Sequence, residues 1–174
     1  GRLVVEVESE SGKLATYTVH ISRGYMDAYV KATNTDAGDY FGIATAVSGD
    51  FVAVGAPRED SNGVSPANSG TTTDSGAVYV YRRDSATGQW QSEALIKAED
   101  VRAGDGFGAS VALDGDTLVV GAPLANNGTE VDSGAVYVFT RDESGNWTQE
   151  ARLRASNYGM NDGFGHAVTL EGDV

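Results

Sequence analysis

Apolar and polar residues alternate with a period of two in several short stretches, a pattern that is typical of half-buried β-strands. The clearest stretches occupy residues 43–47, 109–113 and 166–170. A Gly-Asp pair follows each of them and predicts a two-residue turn, because glycine tolerates the positive φ that such turns need. A mostly apolar second strand comes next, at 51–54 or 117–120. No stretch has the 3.6-residue period of a helix, so the pattern predicts an all-β protein.

These strands belong to an internal repeat with three landmarks: Phe-Gly, Gly-Ala-Pro and Ser-Gly-Ala-Val-Tyr-Val. Phe-Gly occurs at 41–42, 107–108 and 164–165, Gly-Ala-Pro at 55–57 and 121–123, and the longer motif at 75–80 and 133–138. Each full copy also predicts a third strand, at 77–81 or 135–139, and a fourth, through 94–98 or 151–155. A matching alternation at 28–32 predicts the outer strand of a preceding unit. Four-stranded units of this kind are typical of β-propeller blades.

Phe-Gly followed by Gly-Ala-Pro resembles the FG-GAP repeat, the blade of integrin α-subunit propellers and of many bacterial surface proteins. Both landmarks match in the first two copies, whereas the third has Phe164 and Gly165 but no Gly-Ala-Pro. The resemblance covers residues 27–174. It implies a partial β-propeller of four-stranded antiparallel blades across 25–174, with two complete blades flanked by partial ones. Because the family fold typically has about seven blades, we expect the chain to be part of a larger propeller.

Residues 1–24 lie outside the repeat. Two alternating segments, 3–7 and 15–21, flank a turn segment around Gly12 and predict a β-hairpin with one polar face. The hairpin looks like the closing strands of a cadherin-like β-sandwich module. We therefore expect two units, the hairpin at 1–24 and the propeller blades at 25–174.

The composition narrows the classes of function. The chain has 12 Lys and Arg against 25 Asp and Glu, a net charge of −13. Such a charge disfavours nucleic acid and anionic membrane surfaces, since both need basic residues to neutralise phosphate. The chain has no cysteine, which excludes disulfides and thiolate metal sites. No apolar run is long enough for a membrane-spanning helix, so we expect no membrane insertion.

The resemblance implies calcium, because integrin FG-GAP blades often carry an acidic calcium loop just before Gly-Ala-Pro. Here that place holds only the short turns 48–50 and 114–116, which cannot supply the roughly six to eight oxygen ligands of calcium. The long loop after the first Gly-Ala-Pro offers Asp60, Asn62 and Asp74 instead. They form either an ordinary polar insertion or a weak calcium site. We expect screening of the negative charge to dominate, with at most this one weak site.

Acidic residues also precede each Phe-Gly. Asp at a turn usually caps backbone amides of its own turn, so we expect a structural role for these residues rather than metal ligation. They are Asp36, Asp39, Asp100, Asp105 and Asp162. The two histidines, His20 and His166, lie in no repeated motif, and nothing singles out a pair of carboxylates. The sequence therefore predicts no catalytic site and no enzymatic activity.

Six aromatic residues recur at equivalent positions, which favours packing between blades over a sugar-stacking platform. They are Tyr79, Tyr81, Trp90, Tyr137, Phe139 and Trp147. The resemblance, the acidity and the hairpin predict a non-catalytic, extracellular structural or adhesive module of a multidomain surface protein. Two alternatives stay open: a propeller that binds a glycan or a protein through loops on one face, and the accessory propeller of a secreted hydrolase.

Two structural expectations concern the repeat and its edges. The phenylalanines of the Phe-Gly motifs should pack on the hub side of the blades, next to the Gly-Ala-Pro turns; they are Phe41, Phe107 and Phe164. A partial blade leaves unpaired strand edges, and such edges recruit other strands. We therefore expect residues 164–174 to pair with another segment, such as 3–7 or 28–32, or with a second copy of the chain. Cell-surface proteins and glycans are the other expected partners.

Overall fold

The computed structural model describes residues 2–8, 14–20, 29–34, 36–61, 72–100 and 102–172. Within these residues the chain forms ten β-strands and no helix, which confirms the predicted all-β class. The strands are β1 (Arg2–Glu8), β2 (Leu14–His20), β3 (Ala44–Ser48), β4 (Phe51–Ala56), β5 (Ala77–Arg83), β6 (Trp90–Ile96), β7 (Ser110–Asp114), β8 (Thr117–Ala122), β9 (Ala135–Arg141) and β10 (Trp147–Leu153).

The strands form a hairpin and two sheets. β1 and β2 pair antiparallel, with Arg2 opposite His20, as predicted; the sandwich module to which we assigned this hairpin stays a prediction. β3 to β6 form a four-stranded antiparallel sheet in sequence order, here called the first blade. β7 to β10 form an equivalent sheet, the second blade. Within the described residues the sheets do not close into a ring, so the fold is a partial β-propeller.

Two predicted strands are wrong, and neither segment pairs with another strand in the described part of the chain. The described residues at 28–32 run without strand pairing, and Ala32 is instead buried in a cluster with Val54 and Tyr79. Residues 166–170 form no strand either. In the two full copies, the strand equivalent to 166–170 pairs with β4 or with β8. No described residue forms the equivalent partner strand for 166–170.

In β3 and β7, the first strands of the two blades, more and less buried residues alternate as predicted. Which face is buried depends on the neighbouring blade. In β7, Val111 and Leu113 are 9% and 8% exposed and share one core cluster with Ile96 of the first blade. Val47, the equivalent of Leu113 in β3, is 67% exposed because no blade of the described chain precedes β3. The strand instead packs Ala46 against the shared core. Blade contact therefore decides which face of an inner strand is buried.

Backbone hydrogen bonds between motif residues join the successive copies. The amide of Phe107 donates to the carbonyl oxygen of Ser75 at 3.0 Å, and Gly76 and Phe107 form a parallel bridge. The amide of Phe164 donates to the oxygen of Ser133 in the same way, at 3.1 Å. We call this pairing of a Phe-Gly segment with the Ser-Gly of the preceding blade the interlock. It explains why the two motifs recur together.

The interlock requires glycine at the second position of Ser-Gly. Gly76 and Gly134 have φ values of +85° and +83°, in the left-handed region that favours glycine. A Cβ atom on Gly76 would overlap the backbone of Phe107, and one on Gly134 would overlap the backbone of Phe164. Ser-Gly therefore recurs because two backbones approach closely at its glycine.

The rings of Phe41 and Phe107 pack on the third strand of their own blades. Phe107 makes edge-to-face contacts with Tyr137 and Phe139, with ring centroids 5.4 and 5.9 Å apart. Phe41 lies 5.3 Å from Tyr79 in the same geometry. Both phenylalanines precede the first strand of a blade, and their rings reach across the sheet; the hub-side position stays a prediction. Tyr79 and Tyr137 are each 1% exposed, so both are packing residues. Tyr137 lies in the core cluster that the two blades share, as predicted, whereas Tyr79 packs within its own blade and near Ala32.

Replacing Phe107 by Ala removes a ring that is 1% exposed and has two aromatic neighbours. We expect the free energy of unfolding to fall by about 3–5 kcal/mol, measured by urea denaturation. Phe164→Ala is the matched control, because Phe164 makes the same backbone hydrogen bond but is only half-buried. Its loss should be clearly smaller, and equal losses would contradict the assigned packing.

Candidate functional site

The antiparallel order of the strands places their connections at two opposite ends of the blades. The loop end carries the longer connections, at 57–76, 97–109, 123–134 and 154–165, together with residues 36–43 before β3. The turn end carries the short ones, at 49–50, 84–89, 115–116 and 142–146. The two ends therefore present different surfaces on one frame.

Large exposed apolar side chains concentrate at the loop end. Six lie there: Tyr40, Ile43, Leu124, Val131, Tyr158 and Met160. Met160 is 59% exposed and Val131 46%. Among the residues that the structure describes, the turn end carries no exposed large apolar side chain and includes the acidic Asp142 and Glu143. Exposed apolar groups on loops of a rigid scaffold are typical of interaction surfaces.

Hydrogen bonds between successive copies hold the loops of this end together. The amide of Asn161 donates to the oxygen of Val131 at 2.9 Å, and the amide of Gly163 to that of Asp132 at 3.1 Å. The connections 123–134 and 154–165 thus form one surface. A mostly apolar cleft of about 300 Å³ opens beside it between the two Gly-Ala-Pro turns, lined in part by Pro57, Arg58, Pro123 and Leu124.

The acidic residues two positions before each Phe-Gly phenylalanine cap the turn, as predicted. Asp39 accepts a hydrogen bond from the amide three residues earlier at 3.1 Å, Asp105 at 3.2 Å and Asp162 at 2.5 Å. Asp36 caps the amide of the next residue. Asp100 does not cap its own turn: its carboxylate accepts from the hydroxyl of Tyr137 at 3.0 Å and pairs with Arg152 at 3.3 Å.

Asp105 is the most perturbed of these carboxyls. It is 4% exposed, and its Oδ1 atom has no hydrogen-bond partner among the residues that the structure describes. Burial raises the pKa of Asp105 to about 6, and the negative charge of Asp100 adds to the rise, against the hydrogen bond from the Arg102 amide. Asp39 shows the same direction, since burial raises its pKa as well. The ionised form of Asp105 is therefore in an unfavourable electrostatic environment.

A buried polar network in the first blade was not predicted from the sequence. The Glu59 side chain is fully buried and that of Lys97 is 5% exposed; Lys97 Nζ lies 2.7 Å from Glu59 Oε2. The other carboxylate oxygen accepts from Asn34 Nδ2 at 2.6 Å and from the Ser61 amide at 2.9 Å. Asn34 Oδ1 accepts from the Tyr79 hydroxyl at 2.7 Å.

The charges of this network are set by opposing effects. Burial raises the pKa of Glu59, but hydrogen bonds from Lys97 and Ser61 outweigh it and hold that pKa below its usual value. Burial lowers the pKa of Lys97, although Glu59 opposes the change. In the second copy Ala125 stands where the first has Glu59, and Arg154 replaces Lys97. That difference between copies was the one signal in the sequence that could have indicated the network.

The predicted calcium residues are only partly described. Asp60 Oδ1 accepts a hydrogen bond from the amide of Asp74 at 2.7 Å, so this oxygen already serves the loop itself. The Thr72 hydroxyl donates to the backbone oxygen of Asp60 at 2.6 Å. Asn62 lies outside the described residues, within which no group of three or more His, Cys, Asp or Glu could hold a metal ion. The weak calcium site at Asp60, Asn62 and Asp74 therefore stays a prediction.

The third Phe-Gly segment rests on the second blade of its own chain. Besides the interlock at Phe164, the Ser110 hydroxyl donates to the oxygen of Gly165 at 2.8 Å, and the Gly172 amide donates to Asp114 at 2.6 Å. The segment does not pair with residues 3–7, which belong to the hairpin. Pairing with a second copy of the chain stays a prediction.

The geometry defines a class of protein, a partial β-propeller whose blades are joined by Phe-Gly and Ser-Gly segments. A family model described as the FG-GAP repeat matches residues 27–81 and 90–139, and the chain belongs to this family. FG-GAP repeats are typical of extracellular modules of the adhesion type. No curated protein matches the chain. In the part of the chain that the structure describes, no helix is long and apolar enough to cross a membrane.

The raised pKa of Asp105 predicts a pH effect on stability. Because the folded pKa of about 6 lies above the ordinary value of 3.8, the fold favours the neutral acid, and this contribution is lost as pH rises through 6. An asparagine at this position mimics the neutral acid and keeps the cap acceptor. We expect Asp105→Asn to match the wild type near pH 4 and to exceed its stability by about 1–3 kcal/mol at pH 7.5.

Urea denaturation at the two pH values measures this difference. Asp162→Asn is the matched control, because the equivalent cap is solvent-exposed there. The gain at residue 105 on going to pH 7.5 must exceed any change in the control. A gain that does not grow with pH would show that the buried carboxyl is not held in its neutral form.

Proposed function

We propose that the chain is a non-catalytic, extracellular adhesion module of a multidomain surface protein and that it binds a protein partner through its loop end. The observation that carries the proposal is the concentration of exposed apolar side chains in the connections of that end. The described connections of the other end carry none, although Val47 of β3 is exposed beside the turn at 49–50. The interlock supports it, because backbone pairing between copies gives these loops a rigid base. Calcium enters only as a weak stabiliser of the loop bearing Asp60, Asn62 and Asp74.

The side chains at the loop end favour a protein partner over a glycan. Sugar stacking needs a free aromatic face, but the recurring Tyr79 and Tyr137 are buried. The exposed Tyr40 has the guanidinium of Arg58 over its ring, 4.7 Å from the centroid, and Tyr158 has that of Arg154 at 5.9 Å. Tyrosine and arginine are the residue types that contribute most binding energy at protein interfaces.

Site-specific photo-crosslinking on the native cell surface tests this proposal. The photoreactive residue p-benzoylphenylalanine replaces Val131 or Met160 at the loop end, and Ser85 or Ser144, both exposed, at the turn end as matched controls. We expect both loop-end variants to yield a cross-linked product that stays heavier than the chain alone, by the mass of a polypeptide, after glycosidase treatment. The turn-end variants should yield none.

The outcomes separate the alternatives. Products that glycosidases reduce to the mass of the chain alone would favour the glycan-binding hypothesis. Equal cross-linking from both ends, or products from the turn end alone, would contradict the proposed binding surface. Circular dichroism of each variant confirms that the fold is retained.

A further inference from the structure

The buried network of the first blade brings an amine and a carboxamide to one carboxylate. Lys97 Nζ lies 2.7 Å from Glu59 Oε2, and Asn34 Nδ2 lies 2.6 Å from Glu59 Oε1. Because the two oxygens belong to a single carboxylate, both nitrogen atoms are held next to Glu59. Lys97 also donates to the Ser75 hydroxyl at 3.0 Å, which limits the positions that its amine can take.

We propose that Lys97 and Asn34 become joined by an isopeptide bond between Nζ and Cγ, with Glu59 as the group that moves protons between them. The bond would connect the segment before the first Phe-Gly to the residue that directly follows β6. This modification is independent of the proposed adhesive function, since it concerns the interior of the blade.

The reaction is a transfer of the Asn34 acyl group from one nitrogen to another. Transfer of a proton from the Lys97 ammonium to Glu59 gives the neutral amine, which attacks Asn34 Cγ and forms the new C–N bond. Glu59 gives its proton to Nδ2, the Cγ–Nδ2 bond breaks, and ammonia leaves. Glu59 then removes the surplus proton from Nζ and passes it to the ammonia, which departs as ammonium. No oxidant, reductant or water is consumed.

The surroundings of Lys97 and Asn34 suit the attack by the amine and the intermediate that follows it. Burial lowers the pKa of Lys97, which makes its neutral, nucleophilic form easier to reach. The Tyr79 hydroxyl donates to Asn34 Oδ1 at 2.7 Å, where negative charge develops in the tetrahedral intermediate. Burial raises the pKa of Tyr79, so this donor keeps its proton. The Glu59 side chain is fully buried and that of Lys97 is 5% exposed, so the amine and the carboxylate are shielded from bulk water.

The second blade provides an internal comparison. Asp100, Ala125 and Arg154 occupy the positions that correspond to Asn34, Glu59 and Lys97. This copy has neither the amine nor the carboxylate, and its carboxyl at Asp100 pairs with Arg152 instead. The proposed bond is therefore confined to the first blade.

Intact-mass spectrometry of the folded, purified protein under denaturing conditions is the test. We expect a mass lower than the sequence mass by about 17 Da, corresponding to one ammonia. Because trypsin does not cleave after a modified lysine, digestion should yield one branched peptide in which residues 32–58 are joined to residues 84–102. Each of the variants Lys97→Arg, Asn34→Ala and Glu59→Gln should show its own full sequence mass and only linear peptides.

Two controls make the result decisive. Glu93→Gln removes the first-blade partner of Arg141 in the ion pair that joins the two blades, and it should retain both the mass deficit and the branched peptide. Asn-Gly sequences, such as Asn127-Gly128, can also lose ammonia by forming a succinimide, but that leaves the peptides linear. A wild-type protein with its full sequence mass, or a mass deficit without the branched peptide, would overturn the proposal.

Discussion

The Phe-Gly segment of each copy pairs backbone to backbone with the Ser-Gly of the blade before it, and the remaining structure depends on how closely these two segments approach. Gly76 and Gly134 permit the approach because a Cβ atom at either position would overlap the neighbouring backbone. The pairing places Phe107 just before β7. Its amide connects two blades by a hydrogen bond, and its ring packs on Tyr137 inside its own blade. Sheet order, the inter-blade core and the position of the loops follow from this arrangement.

The interlock also separates two kinds of surface. At the loop end, the connections of successive copies are tied to each other, for example through the amide of Asn161 and the oxygen of Val131. Their apolar side chains can therefore stay exposed without collapsing into the core. At the turn end, the short connections form hydrogen bonds within themselves, as in the turn where Asp84 accepts from two backbone amides. A rigid base with one apolar end is a suitable arrangement for binding a partner.

The sequence was sufficient to predict the features that recur in each copy, but it was insufficient to predict the features that occur only once. The all-β class, both four-stranded blades and the capping role of Asp39, Asp105 and Asp162 followed from motifs that recur in register. The strands expected at 28–32 and 166–170 were wrong because a strand needs a partner, and pairing is not a property of one segment. The exposure of Val47 escaped prediction for a similar reason, since burial of that face requires a preceding blade.

The network of Asn34, Glu59 and Lys97 could not be predicted because its members are far apart in the chain and belong to no repeated motif. Their proximity results from the fold, which brings the segment before β3, the residues after Gly-Ala-Pro and the end of β6 to one point. Each residue alone is an ordinary polar position in an acidic chain. A functional site that occurs in a single copy of a repeat is therefore the kind of feature that only the structure exposes.

Native-state hydrogen exchange at the interlock tests the central claim most directly. The amides of Phe107 and Phe164 donate to carbonyl oxygens of the preceding blade, whereas the amide of Ala86 donates to an exposed carboxylate at the turn end. If the interlock holds the blades together, Phe107 and Phe164 should exchange as slowly as the core amides of β5 and β8, and Ala86 should exchange rapidly. Exchange at Phe107 as fast as at Ala86, with β5 still protected, would contradict the account.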